Sequence, residues 1–457
     1  KYSDFKWHWY HFSGTGFDDS KKRSGIFQIQ GEGKAWSKGV DGENGNYDFL
    51  LCNDIDLDHP EVVAELNRWG KWVSNELNLD GMRLDAIKHM KDQFVAQFLD
   101  AVRSERGNDF YAVGEYWNGD LETLDNYLEA VGHKVNLFDV PLHYNMFQAS
   151  QEGKDYDLRN ILKNTLVEHH CELAVTFVDN HDTFVQGSAF LGSNIPKAYA
   201  YILTHPGIPC VFAPHYYGGT YAKDGVTRNY GTGYASEINK LMAIRKTTGI
   251  NAYSHITIDK AESGLYAAYI KKNASDTEPV VAVKIGPYSW TPSLGTGWVL
   301  SASGTDYAVW TKTAINVAPI ITITPSSSKN VSGTNVTVTI SASDDSENAP
   351  TIRYTLDGSE PTVSSPLYSS SFTVNSNTTV KAVAFDNLGL SSGVVERAYT
   401  FETLRNIVVR FKPPTTTPNW PSPKIYYWNY SPSNALPAAS WGTPINMTAD
   451  VDNPGWF

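Results

Sequence analysis

The sequence predicts an α/β fold, the last five βα units of an eight-stranded parallel barrel with its first three strands absent, followed by an all-β domain and β-sandwich modules. Three observations lead there. Between Asp58 and about Ile250, amphipathic helical stretches alternate with short apolar runs, the pattern of parallel βα units. The candidate strands Gly81–Asp85, Tyr111–Gly114, Asn136–Val140, Leu173–Val178 and Ile208–Phe212 follow one another at about 25 to 40 residues, the size of one βα repeat. Charged residues stand at their C-terminal ends, namely Arg83, Asp85, Glu115, Asp139, Asp179 and Asp182, where barrels of this kind carry their functional groups. An open doubly wound sheet is the other arrangement of five such units, but no Gly-rich phosphate loop joins a strand to a helix.

Taken in chain order, residues 1–56 are rich in Gly, Asp, Trp and Tyr and read as a loop-like excursion from the barrel, not a domain with its own core. Residues 57–250 hold the barrel units. Asp58 with Glu61 resembles a capping box opening a helix over Pro60–Leu77, in which Val63, Leu66, Trp69, Trp72 and Val73 recur at helical spacing. Residues 251–312 alternate with period two, as in Leu265–Ile270 and Val280–Ile285, and predict a small antiparallel β domain. Residues 317–402 are rich in Ser, Thr and Val, with short alternating runs between turn signals, the pattern of a β-sandwich. A Pro/Thr stretch at Pro413–Pro418 interrupts the aromatic module 404–457. The chain opens on Lys1 without a signal-peptide pattern and stops abruptly at Phe457, so it reads as a piece cut at both ends from a larger protein.

Composition narrows the partners. With 37 basic and 49 acidic side chains the net charge is −12, which excludes the basic stripe of a nucleic-acid binder and the polybasic patch of a membrane-surface protein. No apolar run approaches the roughly 18 residues of a membrane span. Aromatic residues make up 13% of the chain against 19% charged, a balance suited to gripping neutral, flat-faced ligands. Cys52, Cys171 and Cys210 lack metal-site spacing and read as buried thiols.

In the run Asp80–His89, strand periodicity puts Arg83 and Asp85 on one face and Met82 and Leu84 on the other. A guanidinium beside a carboxylate keeps it ionised and oriented, as a nucleophile requires, although a structural ion pair has the same pattern. Glu115 ends an apolar strand and is flanked by Tyr116 and Trp117, surroundings that raise a carboxyl pKa toward the range of a general acid. In Val175–Thr183, Asp182 supplies a further carboxylate, with Asn180 and His181 placed to bond ligand hydroxyls or to cap a turn. Three carboxyls from three strand ends of one barrel fit a retaining glycosidase, which needs an ionised nucleophile and a protonated acid about 5 to 5.5 Å apart.

These stretches, Gly81–His89, Val113–Trp117 and Phe177–Asp182, resemble signature regions of the α-amylase family, and Phe5–Phe12 with Asn44–Asp48 resembles its liquefying bacterial members. The resemblance runs from about residue 1 to 312. It implies Asp85 as nucleophile, Glu115 as acid/base and Asp182 as transition-state stabiliser. It further implies that Arg83 orients Asp85, that His181 binds sugar hydroxyls, that Lys88 and His89 line the leaving-group side, and that Glu43 and Trp117 touch substrate.

Asp48, Asp54, Asp56 and Asp58 crowd one stretch of hard oxygens suited to Ca²⁺. By resemblance, Asp48, Asp54 and the His89 carbonyl are calcium ligands. Ser13 and Ser37 stand where relatives carry two more metal-binding aspartates, so one calcium is expected, not a cluster. The resemblance also places three barrel strands and one signature region before Lys1, which leaves this piece alone inactive. Residues 317–402 resemble a fibronectin-type-III-like spacer. Residues 404–457 resemble the start of a starch-binding module, with Tyr426, Trp428 and Trp441 as stacking rings. The expected protein is a secreted, monomeric enzyme hydrolysing internal α-1,4 bonds of starch, glycogen and related α-glucans, with no nucleic-acid or membrane partner. A transglycosylase or maltooligosaccharide-forming relative, and a noncatalytic starch-binding protein, are the alternatives.

Overall fold

In the computed structural model the described residues are 3–42, 52–190, 194–313, 316–331, 334–344, 349–402, 409–412, 424–425 and 445–452. They fall into two compact units, 1–315 and 316–457. Glu43, Asp48, Tyr426, Trp428 and Trp441 lie outside the described residues.

The first unit begins with a three-stranded antiparallel sheet, β1 (Phe12–Asp18) flanked by β2 (Arg23–Gln28) and β3 (Asn53–Ile55). The loop-like expectation for residues 1–56 is corrected here: Gly14, Gly16 and Gly25 hide the alternation in sequence, yet backbone pairing forms regardless. Helix α1 (Pro60–Glu76) follows. Its N-cap is His59, not Asp58 as the capping-box pattern predicts, because the His59 ring accepts the Glu61 N–H while Asp58 is drawn off to Lys91 and Ser37.

Five parallel strands, β4 (Gly81–Leu84), β5 (Tyr111–Gly114), β6 (Asn136–Phe138), β7 (Ala174–Phe177) and β8 (Ile208–Cys210), lie side by side in sequence order. A doubly wound sheet reverses its strand order at a switch point; this one never does, so it is an arc of a singly wound barrel. The helices α2 (Asp92–Arg106), α3 (Leu121–Ala130), α4 (Val140–Glu152), α5 (Ile195–Thr204) and α6 (Ala235–Thr248) intervene or follow. Each observed strand is the predicted run trimmed by up to two residues, because the strand ends peel away into the loops that carry the charged residues. After β8 comes a hairpin, β9 (Thr220–Lys223) with β10 (Val226–Asn229). A five-stranded antiparallel sheet, β11 (His255–Glu262) to β15 (Tyr307–Thr311) with β12 (Leu265–Lys271), β13 (Val281–Ile285) and β14 (Val299–Gly304), completes the unit.

All three cysteines are free, but none is buried: Cys52 and Cys210 are exposed and Cys171 is half-buried. The expectation of buried thiols fails at Cys210 because β8 is the last strand of the described arc. No described helix is long and apolar enough to cross a membrane.

The second unit is a sandwich of two sheets, one of three strands and one of four, closing over Ile321, Ile323, Val338, Ile340, Val380 and Tyr399. Beyond Glu402 the described strands are the pair Lys424–Ile425 and Ile445–Asn446.

One buried carboxylate organises the far side of the arc. Asp139, at the end of β6, is fully buried and accepts backbone N–H groups from Leu142 (3.0 Å), Leu166 (3.1 Å) and Val167 (2.8 Å), so it caps α4 and ties it to the segment entering β7. Burial pushes its carboxyl up to about 6, against the pull of those three donors. A proton therefore binds the folded state more tightly than the unfolded one. The contribution of Asp139 to stability is full below its unfolded value near about 4 and declines as pH rises through about 6. Replacing Asp139 with Ala orphans three buried donors, and an unfolding titration is expected to show a loss of about 3 kcal/mol.

Candidate active site

The ladder between β4 and β5 fixes the centre of the site. Leu84 pairs with Gly114, and the pairing continues beyond the strand ends, since Glu115 N–H donates to Leu84 C=O at 2.9 Å and Ile87 N–H to Glu115 C=O at 3.0 Å. Asp85 and Glu115 thus stand side by side on adjacent strands, whose spacing is about 4.8 Å. Ala86 then turns left-handed, with φ of 48°, a conformation costing about 1 kcal/mol for a residue with a Cβ. That turn aims its N–H at Glu115 Oε2, 3.2 Å away. Gly114 is required beneath, because a Cβ there would meet Ile87 Cδ1 at 2.2 Å.

Arg83 spans the pair. Its Nη1 donates to Asp85 Oδ1 at 2.5 Å and its Nη2 lies 3.1 Å from Glu115 Oε2. The two carboxyls sit in unequal surroundings: the Asp85 side chain is 71% exposed and that of Glu115 only 12%. Burial raises the Glu115 pKa above its ordinary value; the Ala86 N–H and Arg83 oppose this, while the Asp85 charge and a hydrogen bond to Asp85 push it further up. The arrangement is two neighbouring carboxyls in unequal surroundings on one guanidinium, the inner one with its pKa raised.

The second group lies past β7. Asp182 is gripped by Lys223 from the end of β9 and by His181, whose Nε2 is 3.3 Å from Oδ2. Asp85 and Glu115 are not among the partners of Asp182 within the described residues. The side-chain oxygen of Asn180 accepts the N–H groups of Asp182 (2.8 Å) and Thr183 (3.1 Å), so it caps the turn. Aromatic contacts bridge the two groups. Trp117 packs 6.1 Å from Phe177, which stacks on His143 at 5.0 Å, and Trp117 Nε1 donates to the Tyr144 hydroxyl at 3.0 Å. Lys88 donates to the Trp117 carbonyl at 3.2 Å, and His89 closes the short turn Ile87–His89.

Beneath His181 and Asp182 runs a buried chain of polar groups. Phe212 N–H donates to the Tyr199 hydroxyl at 3.1 Å, and that hydroxyl lies 3.0 Å from His215 Nδ1. His215 Nε2 lies 3.2 Å from Asp179 Oδ2, too poorly aligned for a hydrogen bond. Asp179 also accepts the Phe190 N–H at 2.9 Å. This is where Asp179 belongs: wholly buried, holding the loop and not facing ligand.

Of the calcium set, Asp54 takes the Ser13 hydroxyl, Asp56 pairs with Lys34, and Asp58 with Lys91 and Ser37. Two ammonium groups and two hydroxyls therefore occupy the acidic stretch. Sequence reading missed Lys223, Tyr144 and His215. Lys223 reaches Asp182 across 41 residues and carries no motif to announce it.

A barrel arc with paired carboxyls at its C-terminal strand ends defines a class of parallel-barrel proteins whose chemistry sits on strand-end loops. Within that class the assignment is direct: residues 6–252, more than half of the chain, match the family model for the alpha amylase catalytic domain, and the chain belongs to that family. Residues 247–311 match the alpha-amylase C-terminal beta-sheet domain and residues 326–396 the chitobiase/beta-hexosaminidase C-terminal domain. An alpha-amylase of Bacillus licheniformis is 47% identical over 54% of this chain and 48% of its own. One of Geobacillus stearothermophilus is 50% identical over 48% and 40%, and a glucan 1,4-alpha-maltohexaosidase of Bacillus sp. (strain 707) is 49% identical over 48% and 43%. The chain thus spans less than half the length of these relatives. A solved Anoxybacillus alpha-amylase superposes with a TM-score of 0.46 at 20% identity, covering 58% of this chain and 66% of that one, too loosely to carry an argument.

Replacing His215 with Ala empties a buried position beside the Asp179 carboxylate and takes a hydrogen-bond partner from the Tyr199 hydroxyl, a change expected to cost about 3 kcal/mol in a denaturant titration. His215→Gln, which keeps a donor at that position, is expected to recover part of the loss.

Proposed function

We propose that the whole protein hydrolyses internal α-1,4-glucosidic bonds of starch and related α-glucans with retention of configuration. The observation that carries this reading is the Asp85–Arg83–Glu115 arrangement, an exposed and a largely buried carboxyl held on one cation at neighbouring strand ends, with the pKa of the buried one raised.

The residues divide the reaction as follows. Asp85, oriented by Arg83, attacks the anomeric carbon and forms a covalent glycosyl ester, while Glu115 gives its proton to the departing glycosidic oxygen. Glu115, now a carboxylate, takes a proton from water; that water attacks the same carbon and releases Asp85. Glu115 and Asp85 are close enough to share a hydrogen bond, so the gap widens toward about 5 Å as the sugar enters between them. Asp182 and His181 bond sugar hydroxyls and offset positive charge on the ring, and substrate shares Asp182 with Lys223. Trp117 and Tyr144 offer ring faces for a glucose unit. The maltohexaosidase relative is as similar as the two alpha-amylases, so release of a defined oligosaccharide is the second form of the same chemistry.

Calcium belongs to this reading. The Asp54 carboxylate, which accepts the Ser13 hydroxyl, offers a hard oxygen suited to this cation, as do Asp48 and the His89 carbonyl. Asp56 and Asp58, already paired with lysines, do not. Bound there, calcium supplies a structural clamp between residues 48–54 and the end of β4. We further place the protein outside the cell, acting as a monomer, with Tyr426, Trp428 and Trp441 of the last module and Glu43 as further substrate contacts. A tethered module raises effective concentration on a granule.

In the intact protein, Glu115→Gln is expected to lower kcat/KM by on the order of 10³-fold on starch, with most of the loss recovered on a glucosyl fluoride, whose leaving group needs no proton. Asp85→Asn is expected to be inactive on both. Proton NMR is expected to show the α-anomer as first product; a β-anomer, or full activity in Asp85→Asn, overturns the reading. Because the acid form of Glu115 is required, activity falls as pH rises through its elevated pKa, so the alkaline limb of kcat/KM lies above an ordinary carboxyl range.

Removing calcium from the intact protein with a chelator is expected to lower its melting temperature. Asp54→Asn is expected to shrink that shift, and Asp56→Asn to leave it in place, as read by scanning calorimetry.

A further inference from the structure

One cluster of metal-ligating side chains lies outside everything described so far. His11 closes the short helical turn Trp9–His11, and His59 and Glu61 flank Pro60 at the start of α1. One donor atom from each of the three lies within 4.8 Å of the others, and His11 Nε2 is 3.0 Å from Glu61 Oε2.

We propose that His11, His59 and Glu61 form a binding site for a borderline divalent transition cation of the Zn²⁺ class.

The donor set decides the class of ion. Two imidazole nitrogens and one carboxylate suit zinc and its neighbours, whereas calcium takes oxygens alone. This makes the site chemically distinct from the acidic stretch at Asp54–Asp58, though it follows directly in sequence. Tetrahedral coordination at about 2.0 to 2.1 Å sets ligand atoms roughly 3.4 Å apart, so the three need only small side-chain adjustments. Glu61, 61% exposed, has room to make them, and it leaves an open side for water as fourth ligand.

The scaffold is already rigid. The His11 ring is 1% exposed, stacks on Phe5 at 4.9 Å and meets the His59 ring edge-on at 5.0 Å. His59 is the N-cap of α1, and Pro60 fixes the backbone between the two ligands that helix contributes. Hydrogen bonding to His11 holds the Glu61 carboxyl below its ordinary pKa, with His11, His59 and His8 adding to the effect, so an anion faces the site.

The tautomers define what binding must change. His11 Nδ1 accepts the His8 N–H at 3.0 Å and His59 Nδ1 the Glu61 N–H at 3.3 Å, so both rings carry their proton on Nε2. Coordination through Nε2 moves each proton to Nδ1, with no net release, and the two displaced amides turn to water. His8 and Glu61 are both exposed, which permits this. The cation then staples the start of the chain to α1.

The test is calorimetric titration of the intact protein with Zn²⁺, calcium being held in excess so that the oxygen site does not compete. One equivalent is expected to bind and to raise the melting temperature. Glu61→Gln and His59→Asn, the latter preserving a capping side chain, are each expected to weaken binding at least tenfold and to abolish the shift while circular dichroism stays that of the parent. Co²⁺ at the site is expected to give the visible absorption of a low-coordinate complex. His170→Gln, in the separate surface group with His133 and His169, is expected to bind as the parent does. Absence of binding, or binding that survives both Glu61→Gln and His59→Asn, or that is lost in His170→Gln, overturns the proposal.

Discussion

A single guanidinium carries the site. Arg83 bonds Asp85 and contacts Glu115, and the β4–β5 register leaves those two carboxyls no alternative to being neighbours. Two carboxylates about 4 Å apart repel by roughly 4 kcal/mol at the effective dielectric of a protein surface. One cation does not neutralise both. The pair is therefore unequal: the inner Glu115 is the readier of the two to hold a proton, its pKa raised by burial and by the neighbouring Asp85 charge. The unequal surroundings of the two carboxyls follow from where the two strands end.

The remaining architecture serves that register. The left-handed Ala86 and the Cβ-less Gly114 let the strands finish in close contact, and backbone pairing runs one residue past each. Buried polar groups then fix the loops that lead away. Asp139 collects three amides at the end of β6, and Asp179 with His215 and Tyr199 anchors the stretch that presents His181 and Asp182. Removing one partner from such a network is costly because the rest stays buried. Asp85 and His181 themselves stay at the surface.

Much of this was legible in the sequence, and the reason is periodicity. Tyr111–Gly114 and three of its four sister strands are short apolar runs ending in a charge, the pattern of parallel strands with polar groups at their C-terminal ends. Spacing put Arg83 and Asp85 on one strand face, and only their convergence with Glu115 and Asp182 at one set of strand ends set them apart from a structural ion pair. What stayed hidden depends on contacts between residues far apart in the chain. Lys223 reaches Asp182 from a hairpin whose own sequence is unremarkable, and nothing local distinguishes Asp179, which is buried, from Asp182, which is not. Asp58 looked like a helix cap until Lys91 and Ser37 claimed it. The strands in residues 1–56 were masked by glycine, whose lack of a side chain erases alternation without preventing pairing.

The most direct test of the shared-proton arrangement is carbon-13 NMR titration of glutamate-labelled protein, with the Glu115 resonance assigned by its absence in Glu115→Gln. The account predicts that Glu115 titrates above the ordinary glutamate range and that its apparent pKa falls when Asp85 becomes Asn, because the neighbouring negative charge is gone. A Glu115 that titrates at an ordinary value, or that does not respond to the loss of Asp85, contradicts it.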